Sequence, residues 1–300
     1  MNFTFVPADA RYFQIIFQFI FLLYGIIWLH WGSDIITCFL YFAACLITQL
    51  FCDLIRNNFS FSNIISKHFF GGSWKSATIT AFGLSLLLKT NDWYICFLAA
   101  FIAISSKYIF TYNKKHLFNP SAVGIVAAIL ITGDTWISPG QWGSNVVLFF
   151  MICSLGFIVV TKVQKADVSL AFLGTYFLLL FCRHILYQGW PLDFFVQSVS
   201  TGSLLLFSFF MISDPKTTPD HINARIIWGI IIAAISFYLS AFKFINGAPV
   251  WVLVCASPLV PLLDKIFVAK KFQWSDRSSL PSSLPFSPRG EGTRIMTTSN

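Results

Sequence analysis

Charge is scarce in this sequence: only 11% of its 300 residues are Asp, Glu, Lys or Arg, where soluble globular proteins carry about 25%. So few charges cannot cover a water-exposed surface. With 56% hydrophobic residues, 35 phenylalanines and a mean hydropathy of +0.73, the composition excludes a pair of soluble domains and describes a polytopic membrane protein whose soluble parts are loops and a tail. Other signals are missing too. The seven cysteines lie in apolar runs and none forms C-x-x-C, so neither a zinc site nor a disulfide framework is signalled. Cys38, Cys45 and Cys52 recur every seven residues along one helical face. They read either as small packing hydrophobes or as ligands of a metal or iron–sulfur centre shared with a partner. There is no G-x-G-x-x-G, Walker loop, H-E-x-x-H or G-x-S-x-G. No basic stripe interleaves with aromatics, which excludes nucleic acid as a partner despite the net charge of +8. No small-x-small cleavage site follows the first apolar run, so that run is read as a membrane span rather than a leader.

What is present is a series of apolar stretches. A spanning helix needs about 20 apolar residues, and ten segments qualify as full or partial spans: 13–31, 35–52, 76–88, 93–110, 119–133, 145–162, 168–187, 194–212, 224–242 and 248–268. The third and fifth are short and suit partial spans buried among other helices. Ten spans put both termini on one side. Seventeen of the twenty lysines and arginines then share that side, leaving Lys89, Arg183 and Lys243 opposite. By the positive-inside rule both termini are cytoplasmic, in an inner or cytoplasmic membrane. Five spans precede the loop at 134–145 and five follow it, the arithmetic of an inverted repeat of about 13–133 and 145–268. The membrane domain is expected over 1–271. The Ser-, Pro- and Arg-rich stretch 272–300 is expected to be a disordered tail.

The informative polar residues are those at span ends or at membrane depth. In HLFNPSAVG (116–124), Asn119 suits an N-cap and Pro120 the first helical turn, with Ala122 and Gly124 allowing close helix approach. This is either a capped packing motif or a helix N-terminus facing an ion or ligand path. In FFMISDPKTTP (209–219), Asp214 and Pro215 close the eighth span with Thr217 following, read as a turn or as a gate or cation site. Ser200, Thr201 and Gly202, within the eighth span, are either helix contacts or a pathway lining. Asp53 and Asp264 read as interfacial charges at span ends, and His184 as an exposed interfacial histidine. Trp136 and Trp142 suit an interfacial aromatic belt. No residue is assigned to catalysis and none to a metal.

Taken in order, these motifs resemble the RnfD and NqrB membrane subunits of the ion-translocating Rnf and NADH:quinone reductase complexes, from about Ser73 to Phe267. The resemblance is carried by SATITAFGLSLLLKTNDWYICFLAAFIAISSKYIF with Lys107, by HLFNPSAVG, by STGSLLLFSFFMISDPKTTP and by PLVPLLDKIF. It implies an all-α integral membrane fold of about ten helices in two inverted five-helix repeats, akin to urea and ammonium channels. It also implies an FMN linked through phosphate to a threonine in S-G-A-T before the sixth span. The corresponding stretch here is TGDTWISPGQWGSN, and neither Thr135 nor Ser144 reproduces the motif. KADVS stands where typical members carry G-E-T-S. Covalent FMN is therefore not expected, and a non-covalent flavin is left open. The TGD-x-W-x-SPGQWG form resembles a side branch associated with enediyne biosynthesis, typified by UnbU. The expected role is a membrane subunit of electron-transfer-linked ion transport, with other membrane electron-transport subunits as partners. The alternatives are a channel or carrier without a redox step and a structural membrane subunit.

Overall fold

The computed structural model describes residues 9–27, 35–56, 72–113, 115–138 and 146–269, with side chains from residue 153 in the last range. Among these the apolar runs form helices α1 (Ala10–Ile27), α2 (Ile35–Arg56), α3 (Ser73–Leu87), α4 (Trp93–Ile109), α5 (Pro120–Thr132) and α6 (Val146–Lys162). After them come α7 (Ala166–Phe181), α8 (Leu192–Val199), α9 (Gly202–Leu206), α10 (Ile222–Lys243), α11 (Ala248–Ala256) and α12 (Val260–Ile266). A π turn at Cys182–Tyr187 prolongs α7, a second at Phe207–Met211 prolongs α9, and a 3₁₀ turn at Ser257–Leu259 joins α11 to α12. Five continuous helical stretches are long and apolar enough to cross a membrane: Ala10–Ile27, Ile35–Arg56, Ala166–Tyr187, Ile222–Lys243 and Ala248–Ile266.

The expected eighth span is not one helix. Between α8 and α9 the chain is extended at Thr201, and the segment reaches Met211 only through its π turn. Ser200, Thr201 and Gly202 occupy that break. Lipid cannot satisfy freed backbone groups, so such a break needs protein around it. Beyond the break, hydroxyls bond carbonyls of α9 and its π turn: Ser169 Oγ donates to Ser208 O at 2.6 Å from α7, and Ser208 Oγ donates to Leu204 O at 2.6 Å.

The helices sort by exposure. On α1 and α2, Phe19, Phe39, Ile47 and Phe51 face outward. Along α3 nearly every residue from Thr80 to Leu87 is buried, as are Pro120–Ala122 and Gly124–Val126 of α5. Each of these two helices is too short to span a bilayer unaided, at 15 and 13 residues, and each ends in a strand. After α3 comes β1 (Leu88–Thr90) and after α5 comes β4 (Thr135–Ile137); the two pair antiparallel, Lys89 opposite Trp136. At the opposite end β2 (Thr111–Tyr112) and β3 (Lys115–His116) form a small hairpin between α4 and α5.

Packing recurs between the first and second halves of the chain. In the first half α1 packs on α3, α2 on α4, and α4 on α5; in the second α6 packs on α9, α7 on α10, and α10 on α11. Between the halves α1 meets α6 and α5 meets α11. Two glycines let a helix approach the backbone of its neighbour. A Cβ at Gly124 would lie 2.7 Å from Ala99 O, and one at Gly229 would lie 2.8 Å from Val168 O. Gly124→Val and Gly229→Val should each destabilise the protein by about 1–3 kcal/mol by overpacking. Gly174→Ala, where nothing lies within 4 Å, should instead gain about 0.5–1 kcal/mol from helix propensity. Thermal unfolding in detergent checks both; unchanged melting of the two valine variants would refute the close packing.

Candidate functional site

The two proline motifs meet. Asn119 has extended backbone, and its Oδ1 accepts the Ala122 N–H at 3.2 Å, capping α5 with Pro120 at the first helical position. Its Nδ2 reaches across to Met211 O at 3.4 Å and Asp214 Oδ2 at 3.5 Å. One amide thus ties the start of α5 to the end of the α9 π turn. Residues 214–219 form a compact loop. Asp214 Oδ1 accepts the Lys216 N–H at 3.0 Å, and Asp214 O accepts from the N–H groups of Thr217 and Thr218 at 3.1 Å each. Thr217 is buried behind Asp214, with its hydroxyl 3.4 Å from Asp214 O.

The loop is pinned from outside by cations. Lys165 is 2% exposed and donates to Pro219 O at 2.9 Å; burial pushes its ammonium down to about 8, helped by the Arg225 charge nearby. Lys115 donates to Thr218 O at 2.9 Å and pairs with Asp264 at 2.8 Å and Asp220 at 3.1 Å. Arg225 pairs with Asp167 at 2.5 Å. Asp264, expected as an interfacial charge, is therefore a buttress of this loop.

These elements wall a cavity of about 300 Å³, within the usual range for small-molecule sites. Asn119, Pro120, Asp214 and Pro215 line it. Thr217, Ser200, Thr201 and Gly202 do not; the last three remain at the helix break described above. The other walls come from residues whose spacing gave no signal: Gln18 on α1, Gln49 and Asp53 on α2, Ser76 and Thr80 on α3, Lys107 and Tyr108 on α4, and Ser121 on α5. Asp53, expected as an interfacial charge at a span end, is shielded by protein. It is 7% exposed and accepts from Tyr108 OH at 2.8 Å, Ser73 Oγ at 3.1 Å and Gln49 Nε2 at 3.2 Å, and Gln49 Nε2 also donates to Tyr108 OH. The clue in sequence was its isolation: an acid followed by only two apolar residues before Arg56.

Asp214 is enclosed by protein yet keeps part of its surface on the cavity. Burial pushes its carboxyl above the usual carboxylate range, against the Lys216 N–H and the charges of Lys216, Lys107 and Lys165. His116, in the α4–α5 connection, uses Nδ1 to bond Lys107 O at 3.1 Å, so Nδ1 carries the proton. Burial lowers its ring to about 4, and the Lys216, Lys107 and Arg56 charges add to that. On the far side of the molecule, Arg183 stacks over the Phe242 ring at 4.3 Å. His184 is buried, not exposed, its ring 5.1 Å from that of Trp190.

Thr135 tests the expected flavin stretch. It lies in β4 opposite Thr90, 7% exposed, with its hydroxyl shielded from solvent and Asp134 beside it. A phosphate ester on that shielded hydroxyl would have to displace the strand. The described part of 132–145 does not fit a covalent flavin, and Trp142 and Ser144 lie outside the described residues.

Residues 129–273 match the model of the NQR2, RnfD, RnfE family. Over 158 residues the chain is 26% identical to a protein of Erwinia tasmaniensis that is named as one subunit of an ion-translocating oxidoreductase complex. The alignment covers 50% of this chain and 39% of that protein, so the chain matches about two-fifths of the length of its relative.

The state of His116 has a consequence for stability. A histidine whose folded value falls to about 4 from 6.5 is neutral when folded but takes up a proton on unfolding between those pH values. Stability should therefore fall as pH drops from 6.5 to 4, by at most about 3 kcal/mol. His116→Gln should flatten that segment of the melting-temperature profile in detergent, and an unchanged slope would show that other groups set it.

Proposed function

From the match of residues 129–273 to the NQR2, RnfD, RnfE family model, we propose that this chain is a member of that family and a membrane subunit of an electron-transfer-linked ion translocase. In this reading the cavity between the two halves is the cytoplasmic vestibule of the path. The observation that carries it is the Asn119 amide, which joins both proline motifs at the wall of one polar cavity inside an otherwise apolar helix bundle. Polar groups inside a membrane bundle are costly, and where they persist they mark ion or substrate paths.

The architecture we propose is two inverted five-helix repeats over about 13–133 and 145–268. The recurring helix pairs support it, as does the way α1 meets α6 and α5 meets α11, since a two-fold axis brings equivalent elements together. The charge asymmetry supports cytoplasmic termini, and it puts Lys107, His116 and Lys216 on the inner side. Partners would be the other membrane components of such a complex, as the name of the Erwinia relative suggests. Electrons would reach the path from those partners or from a non-covalent flavin, since the described stretch around Thr135 does not favour a covalent one.

Asp214 is the group best placed to act on a passing ion. It is a carboxylate at the cavity wall whose oxygens meet a turn N–H and one long amide contact. Asp214→Asn keeps the shape of the turn and removes the charge. In proteoliposomes, or in membranes holding the assembled complex, it should cut ion flux at least about tenfold, the scale of a 1.4 kcal/mol change, while folded yield and melting temperature stay within error. Normal flux in the folded variant would remove Asp214 from the mechanism, and loss of folded protein would make it a structural residue.

A further inference from the structure

A second space lies on the outward side of the bundle, a groove of about 470 Å³ between α2 and α4. The two helices run in the same direction. Tyr41 lies beside Cys96 near their starts, and Tyr108 bonds Asp53 at 2.8 Å near their ends. The groove therefore has two unlike ends. Its length is lined by Phe51 and Ile55 of α2 and by Phe101 and Ile109 of α4, which are 52%, 51%, 52% and 70% exposed. From Phe101 to Ile109 the helix rises about 12 Å at 1.5 Å per residue, close to the ~15 Å depth of hydrocarbon in one leaflet. At the other end stand Arg56, the last residue of α2, and Thr111, just beyond α4.

Lipid tails wet any apolar helix face, and that alone needs no groove. A cation at the end of an apolar groove asks for more. Arg56 is exposed, and among the described residues no carboxylate oxygen lies within 4 Å of it in an ion pair. The acid one turn earlier, Asp53, is committed to Tyr108, Ser73 and Gln49. Thr111, exposed as well, adds a hydroxyl. A guanidinium presents a fork of donors that matches phosphate oxygens. In the topology proposed above this end lies at the cytoplasmic surface, where basic pockets between helices hold anionic headgroups. The walls thus ask for an amphiphile of one leaflet's length with a negative head.

We propose that the groove binds an anionic phospholipid, with its phosphate on Arg56 and one acyl chain along Phe51, Ile55, Phe101 and Ile109. Arg56 and Tyr108 also line the polar cavity, so the headgroup sits at the edge of the vestibule. The proposal goes beyond the ion-path reading and stands whether or not that cavity conducts.

The test uses the full chain in detergent, titrated with phosphatidylglycerol or phosphatidylethanolamine of identical acyl chains, with bound lipid counted by native mass spectrometry. The first phosphatidylglycerol should bind at least about fivefold tighter than phosphatidylethanolamine, the scale of one cation at an anionic surface. Arg56→Gln should erase that preference, and Arg56→Lys should keep most of it. Ile109→Glu leaves Arg56 in place and puts a carboxylate at the same end of the groove; it should weaken phosphatidylglycerol and spare phosphatidylethanolamine. It carries the test should Arg56→Gln fail to fold. Lys243→Gln is the control: it removes the same charge from an exposed residue at the end of α10, which packs on α7 and α11, and should leave the preference intact. The proposal is overturned if the two lipids bind alike, if Arg56→Gln or Ile109→Glu folds and keeps the preference, or if Lys243→Gln loses as much as Arg56→Gln. The groove would then belong to bulk lipid or to a helix of a partner subunit.

Discussion

A helix that stops inside a bilayer leaves backbone N–H groups at one end and C=O groups at the other, with no water to take them. The structure turns on one answer to that problem. Asn119 spends its side-chain oxygen on the first turn of α5 and its side-chain nitrogen on the carbonyl that ends the α9 π turn. An N-terminus from one half of the chain and a C-terminus from the other are served by one amide. Aspartate there would still cap α5, but it could not donate to Met211 O. Alanine would lose both. The hydroxyls of Ser169, Ser208 and Ser213, bonded to carbonyls along the α9 segment, extend the same solution away from Asn119.

Once helices end at this depth, a polar interior follows. Asp53, Tyr108, Gln49 and Ser73 form a hydrogen-bonded network in one wall. Asp214 and its loop make the other, held by Lys115 and Lys165 from outside the cavity. Those two lysines do different work. Lys115 is matched by two carboxylates and cross-links loops from both halves, whereas Lys165 is almost wholly buried on a carbonyl, which is why burial depresses it. The loop carrying Asp214 is thus held more firmly than its exposed-sounding sequence, DPKTTP, suggests.

Lipid enforces helix length, and that made the helices legible in the sequence: α2, α6 and α10 lie within a few residues of the expected spans. The cap was marked as well, since Asn-Pro before an apolar run has few other uses. Legibility ended where tertiary contacts decide. Nothing in STGSLLLFSFFM announces a break at Thr201 or a π turn at Phe207–Met211, because hydropathy is blind to backbone hydrogen-bond register. Gln18 and Gln49 were invisible for a related reason, and Lys107 was marked only by the resemblance. Each lies in a largely apolar run, and only the packing of α1, α2 and α4 reveals that all three line one space.

Two carboxylates line that space, and their surroundings separate their roles. Asp53 accepts from a phenol, a hydroxyl and an amide, so its oxygens are committed to the wall and a passing ion would have to dismantle the network to reach them. Asp214 has one oxygen on the Lys216 N–H and the other 3.5 Å from Asn119, with its surface on the cavity and its carboxyl raised by burial. It can change partners, or gain a proton, without unfolding the turn. It is also tied through Asn119 to the α5 cap, so a change of charge at Asp214 acts directly on the contact that closes the two halves together. A path gated at this point would need no large movement: one amide shifting its nitrogen between Met211 O and Asp214 would couple ion occupancy to the seam between α5 and α9.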